Sequence, residues 1–150
     1  MVTRLIVMRH ATAGRTLIGE SDHQRTLTEY GRKETILMSN ELFRLGWVPD
    51  MAFVSSSART SETYSLLMST PLEVRDEMYL AEVETLFSII EDIDVDKTTL
   101  LLGHNPSCEL LIANLFFHIL FLPLKLKASE FLKHISPQRI QNNLFRLADS

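Results

Sequence analysis

Short apolar segments alternate with longer segments of helical pattern through most of the chain. The apolar segments are predicted to be strands, and the first and last of them consist almost wholly of leucine, β-branched residues, methionine and threonine. Runs of this length without polar alternation are typical of strands that are buried on both faces of a parallel sheet. The predicted strands are 5–8, 51–54, 71–75 and 98–102.

The first two helical segments carry clear start and stop signals. Thr28 is a good N-cap with Leu27 as a staple residue, and the helix runs to about Leu45 before Gly46 at the C′ position. The next helix follows three consecutive serines, 55–57, and any of them could be its cap. The first helix is therefore predicted to begin just after Thr28, and the second just after one of the three serines.

Two further helices complete the pattern. Residues 82–92 are amphipathic with an apolar face, and a helix opened by Pro106 in its first turn runs to about His118. Strands and helices therefore alternate four times. This order predicts an α/β fold, a three-layer α/β/α sandwich with a mostly parallel central sheet, formed as a single domain over residues 1–150.

Composition and charge narrow the classes of ligand. The 150 residues are 45% hydrophobic, which is ordinary for one globular domain, and the formal net charge is −4. A general nucleic-acid binder would carry a basic face, so no nucleic-acid partner is expected. An anionic substrate would have to be attracted by local arginines rather than by the overall field.

The single cysteine and the apolar segments bear on location. Cys108 can form no internal disulfide and has no metal-ligand spacing around it, which favours a reducing compartment and no metal site. The amino-terminal apolar run is too short for a signal peptide. The stretch 110–124 contains Asn114 and His118 and stops at Pro123, so it is predicted to be a core helix rather than a membrane span. We therefore expect a cytoplasmic protein with no membrane partner.

Two of the predicted strands end in a histidine. Arg9 and His10 follow strand 5–8, and His104 follows strand 98–102. In an open α/β sheet, ligands bind outside the carboxyl ends of the strands, so these side chains could face one crevice. An arginine and a histidine alone after a strand are often simply solvated, but the second histidine strengthens the functional interpretation. The ligand that these residues favour is an anion, most simply a phosphate.

Two more arginines lie at predicted helix starts. Arg25 precedes the helix capped by Thr28, where unpaired backbone N–H groups favour an anion. Arg59 lies in the first turn of the next helix, where the helix dipole repels a cation. A bound anion would relieve that misfit. The alternatives are a surface arginine at 25 and, at 59, a solvated guanidinium whose stem packs on the protein.

Four motifs follow one another along the chain: Arg9-His10-Ala11, Arg25-x-Leu27-Thr28-x-x-Gly31, Ser55-x-x-x-Arg59-x-x-x-Thr63 and Gly103-His104-Asn105-Pro106. Together they resemble the histidine phosphatase superfamily, which has the phosphoglycerate mutase-like fold. The resemblance covers about residues 4–118, and the short length, with no large insertion between the Arg59 helix and the His104 strand, is most similar to the SixA-type phosphohistidine phosphatase branch.

The resemblance implies a role for each matching residue. His10 is the nucleophile that becomes phosphorylated, Arg9, Arg59 and His104 line the phosphate pocket, and Arg25 is a further phosphate ligand. Guanidinium groups suit this work because they stabilise phosphoryl oxygens in a fixed geometry. The two-step covalent scheme requires neither a metal nor another cofactor.

Larger members of the family use a carboxylic acid to protonate the leaving oxygen. Glu82, or its neighbour Glu84, is the candidate here, and the alternative is an acid that simply stabilises a helix start. A phosphohistidine leaves as imidazole, whose nitrogen can already carry a proton, so an enzyme for phosphohistidine needs such an acid less.

The predicted function is a metal-independent phosphatase acting on protein phosphohistidine, with a phosphorylated histidine phosphotransfer-type domain as its partner. One alternative is a phosphatase of small phosphate monoesters, whose partner is a phosphorylated metabolite. Another is a non-catalytic module that binds phosphate. Residues from about 119 onwards depart from the family pattern: 124–127 permits an edge strand, and 138–147 permits a short helix.

Overall fold

The computed structural model describes the backbone of residues 4–121 and the side chains of residues 4–116. The strands in this part are β1 Arg4–Arg9, β2 Met51–Ser55, β3 Leu72–Arg75 and β4 Thr98–Gly103. The helices are α1 Glu29–Arg44, α2 Ala58–Leu67, α3 Val83–Glu91 and α4 Ser107–Phe121. Two short 3-10 turns, Asp22–Gln24 and Asp76–Met78, precede α1 and α3.

The described strands form one parallel sheet in the order β1-β4-β2-β3. Arg9 at the end of β1 pairs with Gly103 at the end of β4, and Val54 near the end of β2 pairs with Leu102. The carboxyl ends of these strands therefore meet at one edge of the sheet. The parallel α/β architecture predicted from the alternation of strands and helices is confirmed.

Successive leucines of β4 face opposite layers. Leu100 and Leu102 pack in an apolar cluster with residues of α1 and α2, whereas Leu101 packs in a second cluster with residues of α3 and α4. All three side chains are fully buried. Burying a leucine stabilises a fold by about 1.5–3 kcal/mol, so this central strand holds both helical layers to the sheet.

The predicted caps of α1 and α2 are present. The Thr28 hydroxyl accepts a hydrogen bond from the Gly31 N–H at 3.0 Å, and Gly46 takes a positive φ of 68° just beyond the helix. Of the three serines before α2, Ser57 is the cap. Pro106 was predicted in the first turn of α4, but α4 begins one residue later, at Ser107. The Pro106 carbonyl accepts a hydrogen bond from the Leu110 N–H at 2.9 Å.

Among the helices of residues 4–121, none combines the length and hydropathy that a membrane crossing requires. The strand and helix considered for 124–127 and 138–147, and most of the atypical carboxyl-terminal part from about 119, lie outside the described residues.

Candidate active site

The carboxyl ends of three strands bring His10, Arg59 and His104 together. His10 follows β1, His104 follows β4, and Arg59 lies in the first turn of α2, just after β2. The two imidazole rings have centroids 5.2 Å apart, and Arg59 Nε donates to His10 Nε2 at 3.1 Å. The two histidines that follow predicted strands therefore do lie together at one edge of the sheet, with the Arg59 guanidinium in contact with both.

One ring nitrogen of His10 carries no proton and accepts from Arg59. Its Nδ1 lies 2.7 Å from the Ala11 carbonyl oxygen, which can only accept, so Nδ1 carries the proton and Nε2 does not. Burial lowers the pKa of His10, and the charges of Arg59, Arg9 and Arg25 lower it further, against an opposing effect of the Ala11 bond. At neutral pH the ring is therefore neutral, with its nucleophilic nitrogen directed toward Arg59.

Arg59 is 1% exposed and is surrounded by acceptors. Beyond its bond to His10, its Nη1 donates to the Asp22 carbonyl at 2.6 Å and its Nη2 donates to Asp22 Oδ2 at 3.0 Å. Nη2 also lies 3.4 Å from His104 Nδ1. Asp22 thus supplies, within the protein, a negative charge that offsets the repulsion between the helix dipole and the Arg59 cation.

His104 is 2% exposed and held from both ring nitrogens. Its Nε2 lies 2.8 Å from Ser55 Oγ, and its Nδ1 faces the Arg59 Nη2. Because Nδ1 accepts from Arg59, Nε2 carries the proton and donates to the serine. Burial, with the nearby charges of Arg59 and His10, lowers the pKa of His104 to about 4. His104 is therefore neutral at physiological pH.

This neutral state makes the stability of the fold depend on pH. The pKa of His104 is about 4 when folded against 6.5 normally, so unfolding takes up a proton between these values and acid favours the unfolded chain. We expect the wild type to lose about 2 to 3 kcal/mol through this group between pH 7.5 and 4.5. Urea titrations of wild type and His104→Gln at both pH values check this. An equal loss in both proteins would contradict it.

Arg9 and Arg25 lie at the periphery of this cluster. Arg9 is exposed at the end of β1, and its side chain makes no hydrogen bond or ion pair with any residue of the described part of the chain. Arg25 donates through Nη1 to the Gly14 carbonyl at 3.1 Å and pairs through Nη2 with Asp22 Oδ1 at 2.9 Å. Both charges contribute to the lowered pKa of His10, so both cations are near enough to act on an anion bound there.

Glu82 takes the N-cap position of α3 but makes no side-chain cap bond, and it is exposed. Glu84 follows in the first turn of the same helix and is also exposed. Within residues 4–121, no hydrogen bond or ion pair joins Glu82 to His10, Arg59 or His104. The structure does not connect the candidate acid to the cluster, and its role stays a prediction.

Asp22 and Tyr79 are site residues that the sequence analysis missed. Tyr79 follows the 3-10 turn after β3, and its hydroxyl donates to Asp22 Oδ2 at 2.8 Å. The Tyr79 ring stands edge-on to His104, with centroids 5.6 Å apart. The one available signal for Asp22 was its position three residues before Arg25, the spacing of a single turn. Nothing local in the sequence marked Tyr79.

Thr63 joins the nucleophile loop to α2. Its Oγ1 accepts from the Ala11 N–H at 3.1 Å and donates to the Arg59 carbonyl at 2.7 Å. One hydroxyl thus links the residue after His10 to the backbone of Arg59. The motif that ends in Thr63 therefore serves to fix the distance between the nucleophile and its guanidinium partner.

The loop between β1 and α1 is also held by two carboxylates. Glu34 Oε2 accepts from the Thr12 N–H at 3.1 Å and from its hydroxyl at 2.7 Å, and Glu62 Oε2 accepts from the Leu27 N–H at 2.8 Å. A Cβ at Gly31 would overlap the Thr12 carbonyl oxygen, so α1 can approach this loop only with glycine there. These contacts hold the start and the end of the loop.

The cluster is suited to an oxyanion and to nucleophilic attack. A neutral imidazole lone pair faces a crevice with three arginines, and a second imidazole stands beside it. Guanidinium groups bind tetrahedral oxyanions through several N–H bonds at once. In the described part of the chain, no group of three or more histidine, cysteine or carboxylate side chains has the geometry of a metal site.

Comparison with known proteins gives both sequence and structural relatives. No protein-family model matches the chain. An uncharacterized chloroplastic protein of Arabidopsis thaliana is 35% identical over 60 residues, which are 40% of this chain and 28% of that protein. The chain thus spans well under two thirds of the curated relative that it matches.

Solved structures match over much more of the chain. A candidate phosphohistidine phosphatase SixA from Agrobacterium tumefaciens is 30% identical, with a TM-score of 0.70, over 79% of this chain and 78% of that one. A second, from Nakamurella multipartitia, is 27% identical, with a TM-score of 0.70, over 85% of this chain and 76% of that one. The likeness therefore includes most of both chains in each pair.

Proposed function

The chain belongs to the SixA-type branch of the histidine phosphatase superfamily, and from this premise we propose that it is a phosphatase working through a covalent intermediate on His10. The observation that carries the proposal is the state of His10 Nε2. This nitrogen is unprotonated, belongs to a ring with a lowered pKa and lies 3.1 Å from the Arg59 guanidinium. A nucleophile and the cation that would receive the phosphoryl oxygens are already side by side.

The reaction has two balanced steps. In the first, the Nε2 lone pair attacks phosphorus, an Nε2–P bond forms, and the leaving group departs with the electrons of its bond to phosphorus. In the second, a water oxygen attacks phosphorus, the Nε2–P bond breaks with its electrons returning to Nε2, and inorganic phosphate leaves while the proton that the water loses passes to solvent. In both steps Arg59 Nε–H, which now donates to Nε2, would donate to a phosphoryl oxygen instead.

The surrounding cations support both steps. We propose that Arg9, Arg25 and Arg59 stabilise the charge on the equatorial oxygens of the phosphoryl group. His104 is neutral at physiological pH because its pKa is about 4. A phosphate dianion beside its Nδ1 would raise that pKa, so that His104 takes up a proton and donates it in a hydrogen bond to the phosphate.

We propose protein phosphohistidine, on a histidine phosphotransfer-type domain, as the substrate. Imidazole can leave without a strong acid, and no carboxylic acid of the described residues is hydrogen-bonded to His10 in a position to protonate an ester oxygen. Between α2 and β4 the chain adds only β3, a short 3-10 turn and α3, so this stretch contains no capping domain. The lack of such an insertion in this stretch suits a macromolecular substrate. A cytoplasmic location is part of the proposal, and Glu82 is the proposed acid if an ester is hydrolysed.

A substrate panel tests this proposal. We expect phosphate release from a phosphorylated histidine phosphotransfer domain with a kcat/KM about 100-fold or more above that for glycerate and sugar phosphates, because only the phosphohistidine has a self-sufficient leaving group. Faster release from the esters would instead identify a small-molecule phosphatase. Phosphate binding without release from any substrate would identify a binding module. Heat-inactivated protein and the spontaneous decay of phosphohistidine set the background.

A further inference from the structure

Asp22 and Tyr79 lie in the site, but the function proposed above assigns them no part. We propose that Asp22, held in place by Tyr79, is a positioning residue that fixes the orientation of the Arg59 guanidinium for phosphoryl transfer. The inference rests on the proposed phosphatase activity of this site and adds to it the residues on which the geometry of Arg59 depends.

Asp22 is the common partner of both pocket arginines that lie on its side of the crevice. Its Oδ2 accepts from Arg59 Nη2 at 3.0 Å, its backbone carbonyl accepts from Arg59 Nη1 at 2.6 Å, and its Oδ1 pairs with Arg25 Nη2 at 2.9 Å. One residue therefore engages both Nη groups of Arg59 and one of Arg25. The Asp22–Gln24 turn that presents it is itself closed by Ser21 and Gln24.

The contacts of Asp22 determine where the remaining Arg59 donor points. A guanidinium is planar and rigid, so holding Nη1 and Nη2 also fixes the direction of Nε–H. That direction is toward His10 Nε2, the atom that would attack phosphorus. With Asp22 in place, Arg59 thus offers its Nε–H at the reacting nitrogen. Without the Asp22 side chain, the Nη end of the buried guanidinium would lose its carboxylate partner.

Tyr79 fixes the carboxylate in turn. Its hydroxyl donates to the same Oδ2 that accepts from Arg59, at 2.8 Å, and its ring lies under the guanidinium with Arg59 Cζ 5.8 Å from the centroid. The Tyr79 hydrogen bond lowers the pKa of Asp22, and the charges of Arg59 and Arg25 lower it further, against the effect of burial. Asp22 is therefore an anion at neutral pH, which suits a hydrogen-bond acceptor and not a proton donor.

A competing explanation is that Asp22 occupies the place of the substrate phosphate and blocks it. The two explanations differ in the effect of removing the charge. If Asp22 competes with phosphate for Arg59 and Arg25, its loss strengthens anion binding and raises kcat/KM. If it positions Arg59, its loss lowers kcat, because the orientation of Nε–H matters most in the transition state.

Asp22→Asn is the first test, since it removes the charge at nearly constant shape. We expect kcat for phosphohistidine hydrolysis to fall about 10-fold or more. The Kd for tungstate should change by less than about 3-fold, because removing the negative charge of Asp22 relieves its repulsion of the anion and so offsets the poorer orientation of Arg59 in the ground state. Glu41→Gln is the matched control, because it removes one carboxylate from an exposed pair with Arg44 on α1 and should leave both constants unchanged. An unchanged or raised kcat with tighter tungstate binding would overturn the inference.

Tyr79→Phe and the double variant provide a second test. The hydroxyl acts through Asp22, so Tyr79→Phe should lower kcat in the same direction but less, and Asp22→Asn with Tyr79→Phe should be about as slow as Asp22→Asn alone. Independent structural damage at the two positions would give multiplied losses. Multiplied losses would overturn the proposed coupling.

One readout does not depend on activity. The Arg59 Nε–H proton, observed by NMR in the full chain, should exchange with solvent faster in Asp22→Asn than in the wild type or Glu41→Gln, because its guanidinium is no longer held. If the wild type hydrolyses none of the substrates, the proposed function fails while this measurement still tests the positioning. If the exchange rate is unchanged in Asp22→Asn, the positioning fails whatever the activity.

Discussion

His10→Ala should form no phosphoenzyme and should lose at least about a thousandfold in kcat, because no other side chain of the described residues supplies a lone pair at the position of His10 Nε2. The neighbouring ring cannot substitute for it. His104 is 2% exposed with its Nε2 committed to Ser55, and its ring centroid lies 5.2 Å from that of His10. Rapid-quench trapping with a radioactively labelled phosphohistidine substrate measures the phosphoenzyme, and a phosphate-release assay measures turnover.

The His10 variant also carries its own control. His10 is partly exposed, and its side-chain hydrogen bonds within the described residues are to Ala11 and Arg59, so removal of the side chain should leave circular dichroism and tungstate binding nearly intact. His10→Asn repeats the test with a polar side chain. Turnover close to that of the wild type in either folded variant would rule out the covalent scheme.

Arg59→Lys should lower kcat about 100-fold even though the positive charge is kept. The guanidinium donates to His10 through Nε and to Asp22 through both Nη atoms, so its donors are separated by the width of the group. A single ammonium cannot occupy both places. Single-turnover rates of phosphoryl transfer separate this loss from any change in substrate binding.

Arg44→Lys is the matched control for that substitution, because Arg44 is an exposed arginine paired with Glu41. It should have no effect on the transfer rate. Thermal unfolding of both variants reports whether the buried lysine at 59 also destabilises the fold. A properly folded Arg59→Lys protein with a rate within about 3-fold of the wild type would show that charge alone is enough.

Local signals predicted much of this structure from the sequence. The caps of α1 and α2 depend on side chains that bond to backbone groups within three residues, so Thr28 could be identified directly. The same rules could not choose among three adjacent serines, because each satisfies them equally. They also placed Pro106 one residue too far inside α4, since a proline just before a helix and one in its first turn have nearly the same local preferences.

The site was predictable to the extent that the sheet assembles it. His10, Arg59 and His104 follow strands, and a parallel sheet brings strand ends to one edge. Asp22 and Tyr79 were missed because their contacts are distant in sequence: Arg59 lies 37 residues from Asp22, and Tyr79 lies 57 residues from it. No periodicity or local motif encodes such pairs.

A single buried guanidinium serves His10, His104 and Asp22 at the same time. We therefore expect its neighbours to change together during evolution. A replacement tolerated at one of these positions alters the donor geometry available to the others, so their mutational effects are epistatic. Divergence among relatives that keep the chemistry should then concentrate on exposed positions outside the cluster, such as Leu17 and Ile18, where a new recognition surface can arise without disturbing the shared cation.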